Sequence, residues 1–125
     1  MAKTLLIVDD SVSLRAVVKI ALTGAGYDVI QACDGKDALT KLAAPGTPKI
    51  HLIISDVNMP VMGGIEFVTK AKQLPAFKFT PVIMLTTEGD DAAKQQGRAA
   101  GAKAWIIKPF DPAQLLNTVS RLVLP

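Results

Sequence analysis

The sequence predicts an α/β fold: a doubly wound, five-stranded parallel sheet built from five strand–helix pairs. Three observations point to it. Short apolar runs alternate along the chain with segments whose apolar residues recur at helical spacing. Each apolar run is followed by such a segment, and strand–helix–strand crossovers pair strands in parallel with both faces covered. The 125 residues suffice for one domain of this kind, while a closed eight-fold barrel is out of reach.

The elements follow in order. Thr4 to Val8 is the first strand. Ser11 to Leu22 is a helix with apolar residues at 14, 17, 18, 21 and 22, ended by Gly24 and Gly26. The Gly-Ala-Gly there is no dinucleotide loop, because it follows a helix, precedes a strand and lacks a third glycine. Tyr27 to Ala32 is the second strand. Asp34 caps a helix to about Ala43, with Asp37 in its first turn favoured by the positive helix end. Pro45-Gly46-Thr47-Pro48 is a loop. Ile50 to Ser55 is the third strand, and Gly64 to about Gln73 a helix with Ile65, Phe67 and Val68 facing inward, stopped by Pro75. Pro81 to Leu85 is the fourth strand, opened by a proline that needs no ladder donor. A helix from Thr87 or Glu88 to about Ala100 contains Gly97, which costs about 1 kcal/mol against alanine and marks this helix as the least rigid. Lys103 to Ile107 is the fifth strand. Asp111-Pro112-Ala113-Gln114 then starts the last helix with an Asp cap, a first-turn proline and a glutamine, and it runs to about Leu122.

Composition narrows the function classes. Half the residues are hydrophobic, so a substantial core is expected and disorder is not. No apolar run reaches the roughly 18 residues of a membrane helix, and Met1 to Val8 is too short for a signal peptide, so a cytoplasmic protein is expected. A single cysteine, Cys33, excludes an internal disulfide and reads as a small strand or strand-end residue. The net charge of +3 comes from scattered lysines and arginines with no aromatic interleaving, so no nucleic-acid partner is expected. His51 reads as a partly exposed strand residue, and Met59, Met62 and Met84 as loop or core fillers.

Strands of a parallel sheet end on one edge, where open α/β sheets bind ligands. Strand one ends in Asp9-Asp10, strand three in Asp56, strand four in Thr86-Thr87 and strand five in Lys108-Pro109. One acid there is unremarkable. Three from two interior strands repel one another unless a cation lies between them. Oxygen ligands without histidine or cysteine suit Mg²⁺. A carboxylate beside a metal and an ammonium group can accept a phosphoryl group as an aspartyl phosphate, given neutralised charge and in-line approach. Asp56 is the central acid and so the expected acceptor. Asp10 is expected as main metal ligand, Asp9 as a ligand through water, Thr86 as a hydrogen-bond donor to the phosphoryl group and Lys108 as its neutralising cation.

The stretches Leu-Ile-Val-Asp-Asp-Ser, Ile-Ser-Asp-Val-Asn-Met-Pro-Val-Met-Gly-Gly, Met-Leu-Thr-Thr-Glu and Ile-Lys-Pro-Phe, in that order, resemble a bacterial response-regulator receiver domain along the whole chain. The resemblance implies the flavodoxin-like strand order 2-1-3-4-5 and a single receiver domain over residues 1–125, without an effector domain. It implies that Asp56 takes a phosphoryl group from a histidine kinase and that Asp56 and the backbone carbonyl of Asn58 join Asp9 and Asp10 around Mg²⁺. Lys108 would contact the phosphate and precede a cis proline bond. Thr86 and the aromatic residue on strand five, here Trp105 where the family more often has Tyr or Phe, would form the switch. Asn58 and Glu88 occupy positions that tune aspartyl-phosphate hydrolysis. The pairing of Asn58 with Glu88, and Gly-Ala-Lys-Ala-Trp before Lys-Pro-Phe, look most like the stand-alone chemotaxis regulators.

The implied activity is that of a signalling protein rather than an enzyme: a monomer that transfers phosphate only to itself and hydrolyses it. Its output would pass through helix four, strand five and helix five to a flagellar switch protein. Alternatives are a phosphate sink or a non-flagellar receiver; separately, Trp105 could be a permanent surface aromatic for partner binding rather than a switch residue. A Mg²⁺-dependent aspartyl phosphatase would need Asp-x-Asp after strand one and a cap over the site. A flavin module would need donors where Asp9 and Asp10 stand.

Overall fold

In the computed structural model, which describes residues 2–87 and 91–123, five strands alternate with five helices. They are β1 (Thr4–Val8), α1 (Val12–Gly24), β2 (Asp28–Ala32), α2 (Gly35–Ala43), β3 (Ile50–Asp56), α3 (Gly64–Ala71), β4 (Val82–Thr86), α4 (Asp91–Ala100), β5 (Ala104–Ile107) and α5 (Pro112–Leu122), with a 3₁₀ turn at Pro75–Phe77. All pairings are parallel and the order is β2-β1-β3-β4-β5. The order therefore reverses between β1 and β3, which is where such sheets open a crevice at their carboxyl edge.

Strand alternation sorts the core into two halves. Leu5, Ile7, Leu52, Ile54, Ile83, Leu85 and Ile106 turn toward α1 and α5, where Val18, Leu22, Leu115 and Val119 meet them. Leu6, Val8, Ile53, Val82 and Met84 turn the other way, toward Ala38 and Leu42 of α2 and Phe67, Val68 and Ala71 of α3. Buried on both faces, the central strands have to be apolar throughout, and β4 is buried from Val82 to Thr86. Three helix starts are held by side-chain caps. Ser11, Asp34 and Asp111 accept from the N–H groups of Leu14, Asp37 and Ala113. No described helix is long and apolar enough to cross a membrane.

Several boundaries differ from the sequence reading. β3 runs one residue further, so Asp56 belongs to the strand itself. The third helix stops at Ala71, short of Gln73. Thr87 lies in a bend, and Glu88 falls outside the described residues. On α1 the inward stripe is Leu14, Val18 and Leu22; Val17, expected inside, is half exposed because it lies a quarter turn off that line. Cys33 follows β2 and is exposed, while Met84 is in the core with Met59 and Met62 packed on it. His51 is partly buried in β3 and its Nδ1 faces the N–H of Thr4 at 3.3 Å.

The loop from β3 to α3 is tight. Gly64 N–H bonds to the Val57 carbonyl at 2.8 Å, and a Cβ on Gly64 would collide with the Asp56 carbonyl, so only glycine lets α3 start this close to the site. Two residues before Gly63, Val61 holds φ at 68° and is 77% exposed. It is the centre of a tight three-residue turn closed by Met62 N–H donating to the Pro60 carbonyl at 2.7 Å, a strained positive-φ conformation with little packing to offset the β-branched clash. Val61→Asn is therefore expected to raise unfolding free energy by about 1 kcal/mol in urea titrations, since asparagine has no β-branch and accepts positive φ more readily than valine. A loss of stability would mean that the loop is not strained there.

Candidate functional site

The carboxyl edge of the sheet gathers the residues singled out above. Asp9 and Asp10 follow β1, Asp56 closes β3, Thr86 closes β4 and Lys108 follows β5. The sheet register sets Val8 beside Ser55 and Asp56 beside Leu85, so the acids of β1 and β3 come out side by side. Asp9 is 1% exposed and Asp56 6%, whereas Asp10 is open to solvent.

Lys108 ties the group together. Its Nζ lies 3.1 Å from Asp9 Oδ2 and 3.2 Å from Asp56 Oδ2, so one ammonium serves two buried carboxylates. Its backbone N–H donates to the Thr86 carbonyl at 2.7 Å, and its peptide bond to Pro109 is cis. Asp9 is held further by the Ser11 N–H, which donates to its Oδ1 at 2.9 Å. The main-chain N–H of Asn58 donates to the Asp56 carboxylate. Thr86 is fully buried.

The electrostatics of Asp56 are unfavourable by construction. Burial first, and then the charge of Asp9, push the Asp56 carboxyl above its ordinary value; Lys108 and the Asn58 N–H pull it back without cancelling the rise. Burial alone would lower Lys108, but its bonds to Asp9 and Asp56 outweigh that and hold it above the usual ammonium value. The single lysine thus leaves negative charge in excess. Oxygen atoms of Asp9, Asp10 and Asp56 all lie within 4.8 Å of one another. A cluster of hard carboxylate oxygens with partly uncompensated charge fits Mg²⁺ by its donor chemistry.

Two contributors to the site are not singled out in the sequence reading. Arg15, on α1, donates from Nη1 to the backbone carbonyl of Asp9 and from Nε to Gln31 Oε1 at 3.2 Å, gripping the peptide that joins the two acids. Its place one turn beyond the Ser11 cap was the available hint. Leu14, Val17, Pro109 and Phe110 form an apolar groove with Ser11, Ser13, Thr87 and Lys108 on the rim of the site, and Val12 and Ile20 of α1 are exposed as well. Trp105, the other expected switch residue, is not at the acid cluster. It pairs with Met84 in the sheet and so shares a face with Thr86, which pairs with Ile107.

Comparison with known proteins agrees with this geometry. Residues 5–120 match the response regulator receiver domain family. The chain is 41% identical over 121 residues to the chemotaxis protein CheY1 of Helicobacter pylori, covering 96% of this chain and 95% of that one. It is 39% identical over 112 residues to a chemotaxis protein CheY homolog of Campylobacter jejuni, covering 89% and 85%. The structure of chemotaxis protein CheY4 of Vibrio cholerae superposes with a TM-score of 0.91 at 47% identity, over 98% of this chain and 99% of that one.

Because the Asp56 pKa is raised on folding, its ionisation costs stability; the cost is absent below the ordinary carboxylate value and complete once pH has risen through the folded value. Asp56→Asn should therefore raise the urea midpoint at neutral pH in metal-free buffer, with the gain closing as pH falls through the carboxylate range. Lys108→Met should do the opposite, lowering stability by about 2 kcal/mol by leaving two buried carboxylates without their cation. An unchanged midpoint in both variants would contradict this electrostatic picture.

Proposed function

The chain belongs to the response regulator receiver domain family, and from that premise we propose a phospho-acceptor switch of CheY type, in which Asp56 is the residue phosphorylated. The observation that carries the reading is the position of Asp56. It is a buried carboxylate at the end of the central strand, beside a lysine and two further acids. The donor is a phosphohistidine of a histidine kinase. An Asp56 oxygen attacks phosphorus in line with the imidazole nitrogen; the P–O bond forms as the P–N bond breaks, and the nitrogen keeps the electron pair and takes a proton from water. Lys108, already between Asp9 and Asp56, pairs with the incoming phosphoryl oxygens, and the Thr86 hydroxyl donates to one of them. Mg²⁺ held by Asp9, Asp10, Asp56 and the Asn58 carbonyl would supply the remaining neutralisation of charge. Asn58 and Glu88 set the rate at which water removes the phosphate.

The groove of Leu14, Val17, Pro109 and Phe110 borders the acceptor and offers exposed apolar surface where a donor protein must approach. We assign the kinase to this side. Output belongs to the opposite side of the switch, the α4–β5–α5 face, where Arg98 and Lys103 flank Trp105. Phosphorylation shifts a two-state equilibrium of Thr86 and Trp105, which share one face of the sheet, and so changes affinity for a partner. The sequence resemblance to stand-alone chemotaxis regulators, in line with the chemotaxis relatives named above, makes a flagellar switch protein the favoured partner, met in the cytoplasm by a monomer.

Acetyl phosphate with Mg²⁺ is expected to label the wild-type protein and to leave Asp56→Asn unlabelled, with chelation of the metal abolishing labelling. Normal labelling of Asp56→Asn would refute the assignment. Val17→Asp with Ile20→Asp is expected to slow transfer from the kinase at least tenfold, about 1.4 kcal/mol of lost docking, while labelling by acetyl phosphate stays unchanged. Equal slowing with both donors would move the kinase away from α1. Capture of a flagellar switch protein by the beryllium fluoride form supports motor output; capture of kinases alone makes the chain a phosphate sink.

A further inference from the structure

A glycine is a poor choice inside α4, and its surroundings show why it is there. Gly97 is buried in the last turn, and no positive φ calls for glycine. A Cβ built on it would lie 3.1 Å from Cε3 and 3.5 Å from Cη2 of Trp105, and closer still to Cζ3. The benzo ring of the indole therefore rests on bare helix backbone. The geometry is reinforced from the other side of the turn. The Gly97 carbonyl accepts from Ala102 N–H at 2.9 Å and Gly101 N–H at 3.2 Å, with Gly101 at φ 117°, and Lys103 N–H then joins β4 at the Val82 carbonyl. Seat and indole are thus fixed to one another through a single helix-to-strand turn. Trp105 is partly buried there against the α2–α4 half of the core.

We propose that Gly97 is a shape-matched seat for Trp105, and that it sets the resting position of the indole on the output face. A ring this large is accommodated because the residue opposite has no side chain at all. An alanine at 97 favours helix, yet it occupies the volume of the ring. The two preferences oppose each other, and their sum decides where the indole sits. The regulatory part of this inference rests on the reading of Trp105 as a switch residue; the seat itself does not.

Trp105 is the only tryptophan of the chain, so its fluorescence reports the seat alone. Gly97→Ala is expected to shift the emission to the red and to lower the urea midpoint, although the same change in an ordinary helix raises it. In a Trp105→Ala background, followed by circular dichroism, Gly97→Ala should raise the midpoint. That reversal of sign keeps the test open even if Gly97→Ala alone folds poorly. A rise in both backgrounds, with unchanged emission in the single variant, would overturn the seat. Beryllium fluoride with Mg²⁺ should change wild-type emission, and change it less in Gly97→Ala. A seat that passes the first test with no response to beryllium fluoride in wild type would leave the packing intact and remove Trp105 from the switch.

Discussion

One ammonium group shared by two buried carboxylates holds this site in its resting form. Lys108 reaches Asp9 and Asp56 from the far side of the sheet, 99 residues along the chain from Asp9. A buried pair of acids at this spacing is costly, and a single lysine offsets only part of the cost. The remainder is visible as the raised pKa of Asp56. A site left short of positive charge suits a cation by its chemistry, and under the proposed function its lysine would turn to the phosphoryl group. On the proposed reading, the same imbalance that costs the protein stability is what would prepare it for phosphoryl transfer.

The fold serves that arrangement through close backbone approaches. The topological switch between β1 and β3 brings their acids together. Gly64 lets α3 begin against the Asp56 carbonyl. Arg15 pins the Asp9 carbonyl, and the bond from Lys108 N–H to Thr86 ties the ends of β4 and β5. That last link would couple the two ends under the proposed switch, because Thr86 lies on the sheet face that also carries Trp105.

Much of this was legible in the sequence, for a physical reason. Strands buried on both faces must be apolar throughout, so they stand out, and the polar residue that ends each one marks the functional edge. What lay beyond reach were contacts with no local signal. Strand order depends on long-range pairing and came from resemblance, not from periodicity. The rim of acids suggested a metal as the cation between them; only the fold reveals that Lys108 already bridges Asp9 and Asp56. Val17 looked like core because a helical apolar stripe is broad, and its exposure shows only once α1 is docked. Gly97 read as a weak point in its helix, because nothing in the sequence says that an indole eight positions later lies on it. Glu88 lies outside the described residues, so its placement adds nothing to the site's geometry.

The central claim is that Asp56, and no other carboxylate of the cluster, takes the phosphoryl group. Borohydride reduces an acyl phosphate to an alcohol and leaves free carboxylates untouched, so it marks the acceptor in the unaltered protein. After incubation with acetyl phosphate and Mg²⁺, followed by borohydride and peptide mass spectrometry, homoserine is expected at position 56. Homoserine at position 9 or 10 instead, or at none of the three in a protein that had been labelled, would contradict the account.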